Sequence, residues 1–335
     1  MKDQKYLLIS IPLLLLSSCQ NLPDPVIAKN TIDISKSLDQ KDFLNLSEIA
    51  SEIEYIQLET DSSCFINRLD NLSENIQFTK DRIFIADKDQ ILGFNSKGKF
   101  IAHYGRKGKG PAEYMRPGGF TVLEDLRQIA VLCQGLQKVI FFDYEGKFIK
   151  GFKIDFWPTK MVYFNNNLVF INPLGRRFYT DYYIMSVIDL NGKLQNKFMF
   201  REIEKQIEKN DKIKISTRNI CRVESDTMIY WEPYENIIWK IPTDFSLIPQ
   251  YSIKYIPKGE KTDHFDYMLE SKNKKIDLDY FWEHVTIDPV PLLTNRFLFI
   301  KINKKGFGRR VLYDKTTKKI FTFRFSKPLG SIQFI

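Results

Sequence analysis

From about residue 50 onward the chain alternates short apolar runs with polar turns. Ile53-Glu54-Tyr55-Ile56-Gln57-Leu58 and Arg82-Ile83-Phe84-Ile85-Ala86-Asp87 are two such runs. Phe, Tyr, Ile and Val are concentrated in them, and Asp, Asn, Gly and Lys separate them, a pattern that predicts many short strands. Only Arg201–Asp211 (REIEKQIEKND) and His264–Lys274 (HFDYMLESKNK) suit a helix. They lie in charged segments, 201–212 and 258–279, which read as insertions between strands.

One unit recurs along the strand pattern: an apolar strand ending in Asp or Asn, a Gly turn, then another strand. Ile91–Ile101 (ILGFNSKGKFI), Val139–Ile149 (VIFFDYEGKFI) and Val187–Leu194 (VIDLNGKL) are its clearest copies; Ile238–Phe245 and Val311–Lys318 are degenerate ones. Gly98 and Gly146 are 48 positions apart, and Gly146 and Gly192 are 46 apart. An Asp or Asn before the turn bonds forward to the backbone and Gly supplies positive φ, so each unit closes as a hairpin. A period of this length with four strands per unit is that of a propeller blade, whose two faces are buried by its neighbours. A β-sandwich is the structural alternative, but its strands need not repeat, and these do. The expected fold is all-β: a β-propeller of four-stranded antiparallel blades over residues 51–335, with five hairpin units countable.

The N-terminus follows a different pattern. Lys2 and Lys5 precede an apolar run, Tyr6 to Leu16, which is too short to span a bilayer. Leu16-Ser17-Ser18-Cys19 follows and resembles a bacterial lipobox, in which small residues admit a peptidase and the Cys becomes the lipidated N-terminus. Residues 1–18 are therefore expected to be a lipoprotein signal peptide, and 19–50 a lipidated Cys and tether opened by Pro23 and Pro25. Several acyl chains on one residue give stable anchoring.

Composition removes several classes of function. The chain of 335 residues is 43% hydrophobic with a net charge of +9, a globular balance. The charge is spread along the chain rather than gathered into a stripe, so nucleic acid is not an expected partner. Cys64, Cys133 and Cys221 form no C-x-x-C pair and read as buried thiols. His103, His264 and His284 lack zinc-ligand spacing, no G-x-S-x-G elbow occurs, and the glycine loop 105–110 continues into Pro111 rather than Lys-Ser/Thr. No metal or cofactor is expected.

Gly105-Arg106-Lys107-Gly108-Lys109-Gly110-Pro111-Ala112-Glu113-Tyr114, followed by Arg116-Pro117-Gly118-Gly119-Phe120, resembles the NHL-repeat consensus that links one blade to the next. With the lipobox, the whole is similar to the six-bladed β-propeller lipoproteins of Bacteroidetes, from about residue 45 to the end. That resemblance implies six blades, against which five countable units leave either a truncated copy or an incomplete closing blade, and ring closure by an N-terminal strand at Ile53–Glu59 with C-terminal strands. It also implies an outer-membrane location through Cys19.

Two function classes remain open. One is a binding or scaffold module for an envelope protein, peptide or glycan; the other is a propeller enzyme, a lyase or hydrolase acting on glycans or peptides. The sparse histidines favour binding. Candidate ligand-binding residues are Arg106, Lys107, Lys109 and Tyr114 on one connection and Arg176 and Arg177 on another, because Arg and Tyr are favoured interface anchors and a basic rim attracts acidic surfaces.

Overall fold

The structure is a computed structural model that describes residues 28–35, 50–67, 75–87, 89–172, 183–200, 220–224, 226–231, 237–254, 286–293, 296–304 and 307–323. A short strand, β1 (Asn30–Asp33), precedes five sheets. The first holds β2 (Ile76–Phe78), β3 (Arg82–Asp87), β4 (Gln90–Asn95) and β5 (Phe100–His103). A two-stranded pair, β6 (Arg106–Lys107) and β7 (Glu113–Tyr114), leads to the second sheet. That sheet holds β8 (Gly119–Leu123), β9 (Gln128–Cys133), β10 (Lys138–Asp143) and β11 (Phe148–Lys153). The third holds β12 (Lys160–Phe164), β13 (Asn167–Ile171), β14 (Tyr183–Asp189) and β15 (Leu194–Phe200). The fourth holds β16 (Ile220–Glu224), β17 (Thr227–Trp231), β18 (Ile237–Pro242) and β19 (Ile248–Lys254). The fifth holds β20 (Thr286–Leu293), β21 (Phe297–Lys304), β22 (Phe307–Asp314) and β23 (Ile320–Phe323).

Within each sheet these four strands pair antiparallel in chain order, as blades of a propeller do. The five hairpin units of the sequence fall on the third strands of the five sheets and the turns that follow, and the three clearest reach the fourth strands. The described residues hold five blades, not the six that the family resemblance implied. The sixth rested on the resemblance alone, and no repeat unit in the sequence stood behind it. The helical stretches expected at 201–211 and 264–274 lie outside the described residues.

The turns explain why the repeat is visible in sequence. Asn95 Oδ1 accepts from the N–H of Lys97 and of Lys99, both at 2.9 Å. Asp143 does the same for Glu145 and Lys147 at 3.1 and 2.8 Å, and Asp189 for Asn191 and Lys193, both at 2.9 Å. Gly98, Gly146 and Gly192 follow at φ 82°, 83° and 92°, values that glycine adopts without steric cost. In sheet five the loop is a residue longer, and Lys318 takes the left-handed position at φ 61°. There Asp314 Oδ1 accepts from Thr316 N and Thr317 N at 2.8 and 3.1 Å, while Oδ2 takes Arg296 Nη2 at 2.8 Å.

The Arg296 bond, with the two backbone donors, holds the Asp314 carboxyl far below the usual carboxylate range. A depressed folded-state value adds stability that is complete above the unfolded value, about 3.9, and is lost as pH falls toward the folded one. The urea midpoint of the wild-type protein should therefore drop between about pH 4 and pH 2, and Asp314→Asn should flatten that drop. Equal slopes in the two proteins would show that this carboxylate is not a source of the acid sensitivity.

Strand alternation sends successive side chains to opposite faces, so each sheet contributes to two cores. In sheet two, Ile129, Val131, Ile140 and Phe142 pack toward sheet one, whereas Ala130, Leu132, Val139 and Phe141 pack toward sheet three. Sheets three and four share Val169, Ile184, Met228 and Tyr230, and sheets four and five share Trp231, Ile253, Leu298 and Val311. First strands are also stitched to one another. The Gln77 amide on β2 donates to Phe120 O at 2.8 Å and accepts from Val122 N at 3.0 Å on β8, and Thr121 Oγ1 accepts from Tyr163 N on β12 at 2.9 Å.

Two N-terminal segments differ from expectation. Part of the region read as tether is structured: β1 pairs parallel with β19, from Asn30 opposite Tyr251 to Asp33 opposite Lys254. The cause is a local alternation in Thr31-Ile32-Asp33-Ile34 that buries Ile32 and Ile34 in the core between sheets four and five. Ile53–Glu59 joins no ladder. Its Ile56 and Leu58, with Cys64 and Ile66, instead cover the face of sheet one that turns away from sheet two. Cys64, Cys133 and Cys221 are free and buried, as expected, and burial pushes the Cys221 thiol up to about 12.

Candidate rim site between the first two blades

The glycine-rich connection from β5 to β8 is built around two tyrosines. Tyr104 is fully buried, and its hydroxyl donates to Tyr144 O at 2.7 Å. Gly93 makes room for it, since a Cβ there would lie 2.6 Å from the Tyr104 hydroxyl oxygen. Gly105 turns the chain at φ 82°, where a Cβ would meet the Tyr114 ring at 2.7 Å. Tyr114 itself is fully buried in the core between sheets one and two, and burial pushes its phenol up to about 12. The expectation that it serves as an exposed interface anchor is thereby corrected. The aromatic after the Gly-Pro step is drawn into an interior already lined by Phe84, Phe142 and Tyr144, where a large ring removes more apolar surface from water than on the rim.

The loop is closed by Glu113. Its carboxylate accepts from Gly110 N and from Arg106 Nε, each at 2.8 Å. The Gly110 N–H first, and then the Arg106 guanidinium, hold the carboxyl below the usual range. Lys138 Nζ from β10 donates to Gly110 O at 2.7 Å, which ties the loop to the second sheet. Arg106 is thus a member of an ion pair rather than a free cation. With 83% of its side chain exposed, the pair adds little stability but fixes the guanidinium in place. Lys107 and Lys109 project into solvent beside it.

A cleft of about 730 Å³ opens between this loop and the two sheets. Asp89 and His103 come from sheet one, Arg106, Lys107 and Glu113 from the loop, and Phe148 from sheet two. His103 Nε2 donates to Ser63 O at 2.6 Å, so this ring is committed to a structural bond with the N-terminal segment. The cleft therefore offers an aromatic wall and a rim of both charges. It is large enough for several residues of a peptide or one or two sugar units.

Of the residues singled out in the sequence, the structure gathers Arg106 and Lys107 at this cleft, sets Lys109 on the same loop and turns Tyr114 inward. Cys19, Arg176 and Arg177 lie outside the described residues. Asp89, His103 and Phe148 were not singled out as site residues from sequence. They come from strand ends of different sheets, and only the blade-to-blade packing brings them together.

Among the described residues, five successive antiparallel units of four strands, the fourth extended by β1, define the protein as a β-propeller. The chain belongs to the family described as "Domain of unknown function (DUF4934)", which matches residues 29–334 and so takes in β1. A crystal structure named "Putative exported protein", from Bacteroides fragilis NCTC 9343, is similar over 88% of this chain and 80% of its own, with TM-score 0.70 and 18% identity. A member of the duf4221 family from Bacteroides vulgatus atcc 8482 gives TM-score 0.48 and 10% identity, over 75% of this chain and 81% of that one. BamB from Moraxella catarrhalis gives TM-score 0.43 and 13% identity, over 79% and 68%. No curated protein sequence matches the chain. At these identities the likeness concerns the fold alone.

Proposed function

We propose that the protein is a cell-envelope binding or scaffold module, anchored in the outer membrane by lipid on Cys19, whose propeller rim receives a protein, peptide or glycan partner. The observation that carries this reading is the cleft between the first two blades. It combines an aromatic wall with exposed Lys107 in its lining, exposed Lys109 elsewhere on the same loop, and the closure of that loop by Glu113. Fixed walls lower the ordering cost of binding, and exposed cations beside an apolar wall suit an acidic partner. Arg176 and Arg177 are proposed as a second source of positive charge. Export is in keeping with the lipobox-like Leu16–Cys19, and the Bacteroides fragilis neighbour carries export in its name.

The test is capture of partners from solubilised envelopes with the full-length protein, compared with Phe148→Ala and with the double change Lys107→Glu and Lys109→Glu. Recovery of the specific partner should fall at least about tenfold in either variant, as for loss of an interface anchor. Equal recovery from all three proteins, or turnover of a peptide or glycan library with no partner recovered, would replace the binding reading. Cys19→Ala should yield unprocessed precursor that leaves the membrane fraction; continued membrane association with a cleaved N-terminus would remove the anchor.

A further inference from the structure

A second surface, independent of the cleft, lies on the N-terminal segment that covers sheet one. Burial alternates along Tyr55-Ile56-Gln57-Leu58-Glu59 as in a strand: Ile56 and Leu58 face the core, and Tyr55, Gln57 and Glu59 face out. The segment is pinned at its far end, where Glu59 N donates to Gly98 O at 2.8 Å and the Glu59 carboxylate accepts from Phe100 N at 2.8 Å. Gln57 O lies where a Cβ on Gly98 would come within 2.1 Å of it. The Gly146 turn of sheet two meets His103 O of β5 in the same way, and the Gly192 turn of sheet three meets Phe152 of β11. Ile53–Glu59 therefore stands to sheet one as the fourth strand of one blade stands to the next, but it has no ladder of its own.

Among the described residues, the backbone N–H and C=O groups from Ile53 to Gln57 have no hydrogen-bond partner. The side chains beside them are apolar or acidic. Ile53 is 53% exposed and Tyr55 90% exposed, and Glu52 and Glu54 are exposed as well. From Ala50 to Asn67 the sequence carries Glu52, Glu54, Glu59 and Asp61 and no Lys or Arg. A row of open backbone groups is a template for strand addition. We infer that Ile53–Gln57 is a β-augmentation site for an extended basic polypeptide strand contributed by a partner protein. The open backbone supplies the ladder, Ile53 and Tyr55 the apolar contact, and Glu52 and Glu54 the selection for Lys or Arg. A second copy is a poorer occupant, because antiparallel self-pairing would bring this acidic strip against itself, and like charges across a ladder are destabilising.

The probe is the dye-labelled peptide acetyl-Lys-Val-Lys-Val-Lys-Val-Lys-amide, titrated into the full-length protein and followed by fluorescence anisotropy and amide hydrogen exchange. Amides 53–57 should exchange rapidly in the free protein and become protected with peptide. Methylating alternate backbone nitrogens of the peptide should weaken binding at least about tenfold by removing two or more ladder bonds. The double change Glu52→Lys and Glu54→Lys, at exposed positions that leave the fold intact, should abolish the salt-sensitive part of the affinity. Slow exchange of these amides in the free monomer would show that the chain covers its own edge. Protection that rises with protein concentration would show a second copy there. Either result overturns the inference, as does peptide binding indifferent to N-methylation and to the charge reversal.

Discussion

Replacing Trp231 with alanine should lower the unfolding free energy by about 3–5 kcal/mol, the cost of removing a large aromatic from a packed interior. Trp231 is fully buried at the end of β17. It lies in the core that joins sheet four to Leu298, Ile300 and Val311 of sheet five, and also to Ile32 of β1 and Ile34 just after it. Removing it takes support from three chain segments far apart in sequence. Because a typical domain is stable by only about 5–15 kcal/mol, the urea midpoint should fall by a large fraction, and β1 should lose amide protection before the sheets do. A shift below about 1 kcal/mol, the size of an average point change, would mean that this interior collapses around the gap or is less tightly packed than described.

A comparable loss, about 2–4 kcal/mol, is expected for Gly146→Ala, although only one methyl group is added. Two costs coincide. The residue sits at φ 83°, which disfavours any side chain, and the new Cβ would lie 2.6 Å from the backbone oxygen of His103. Backbone cannot swing aside as the end of a side chain can, so the turn of sheet two must part from β5 of sheet one. Gly146→Asn separates the two costs, since Asn tolerates the left-handed region but carries the same Cβ. Gly135→Ala is the control: its nearest neighbour would be the Met115 Cβ at 3.7 Å, an ordinary contact. Urea unfolding of the three variants should rank Gly146→Ala as the least stable and Gly135→Ala as close to wild type. Equal stability of Gly146→Ala and Gly135→Ala would contradict the close approach of the two blades.

The same glycine shows why the fold was legible in the sequence. A turn that needs a carboxylate or amide, a positive φ and close contact with the neighbouring blade permits few residues, so the pattern recurs in the letters at Asn95–Lys99, Asp143–Lys147 and Asp189–Lys193. Sheet four was harder to see. Its turn has no glycine, and Phe245 takes the positive φ, 61°. The strand β1 was masked by the prolines just before it, although Ile32 and Ile34 carry a two-residue period. Ile53–Leu58 carries that period too, and there it misled, because alternation reports one buried face and not a hydrogen-bonded edge. The rim cleft was only half legible. Arg106 and Lys107 are neighbours in a motif, but Asp89, His103 and Phe148 converge through blade packing, which leaves no spacing to read. Tyr114 shows the complementary error: an aromatic in a charged loop looked outward-facing because sequence does not show which side of the loop meets the next sheet.

The parallel pairing of β1 with β19 also sets the length of the leash. Under the proposed lipidation of Cys19, residues 20–29 are all that separates the anchor from the first fixed strand. Fully stretched, about ten residues reach roughly 35 Å, much less than a linker running to residue 50 would allow. The protein would then hang from the bilayer by the outer edge of its fourth sheet, with that edge close to the headgroups. The cleft of the first two blades is lined by other sheets, so a partner seated there would not compete with the anchor for that edge.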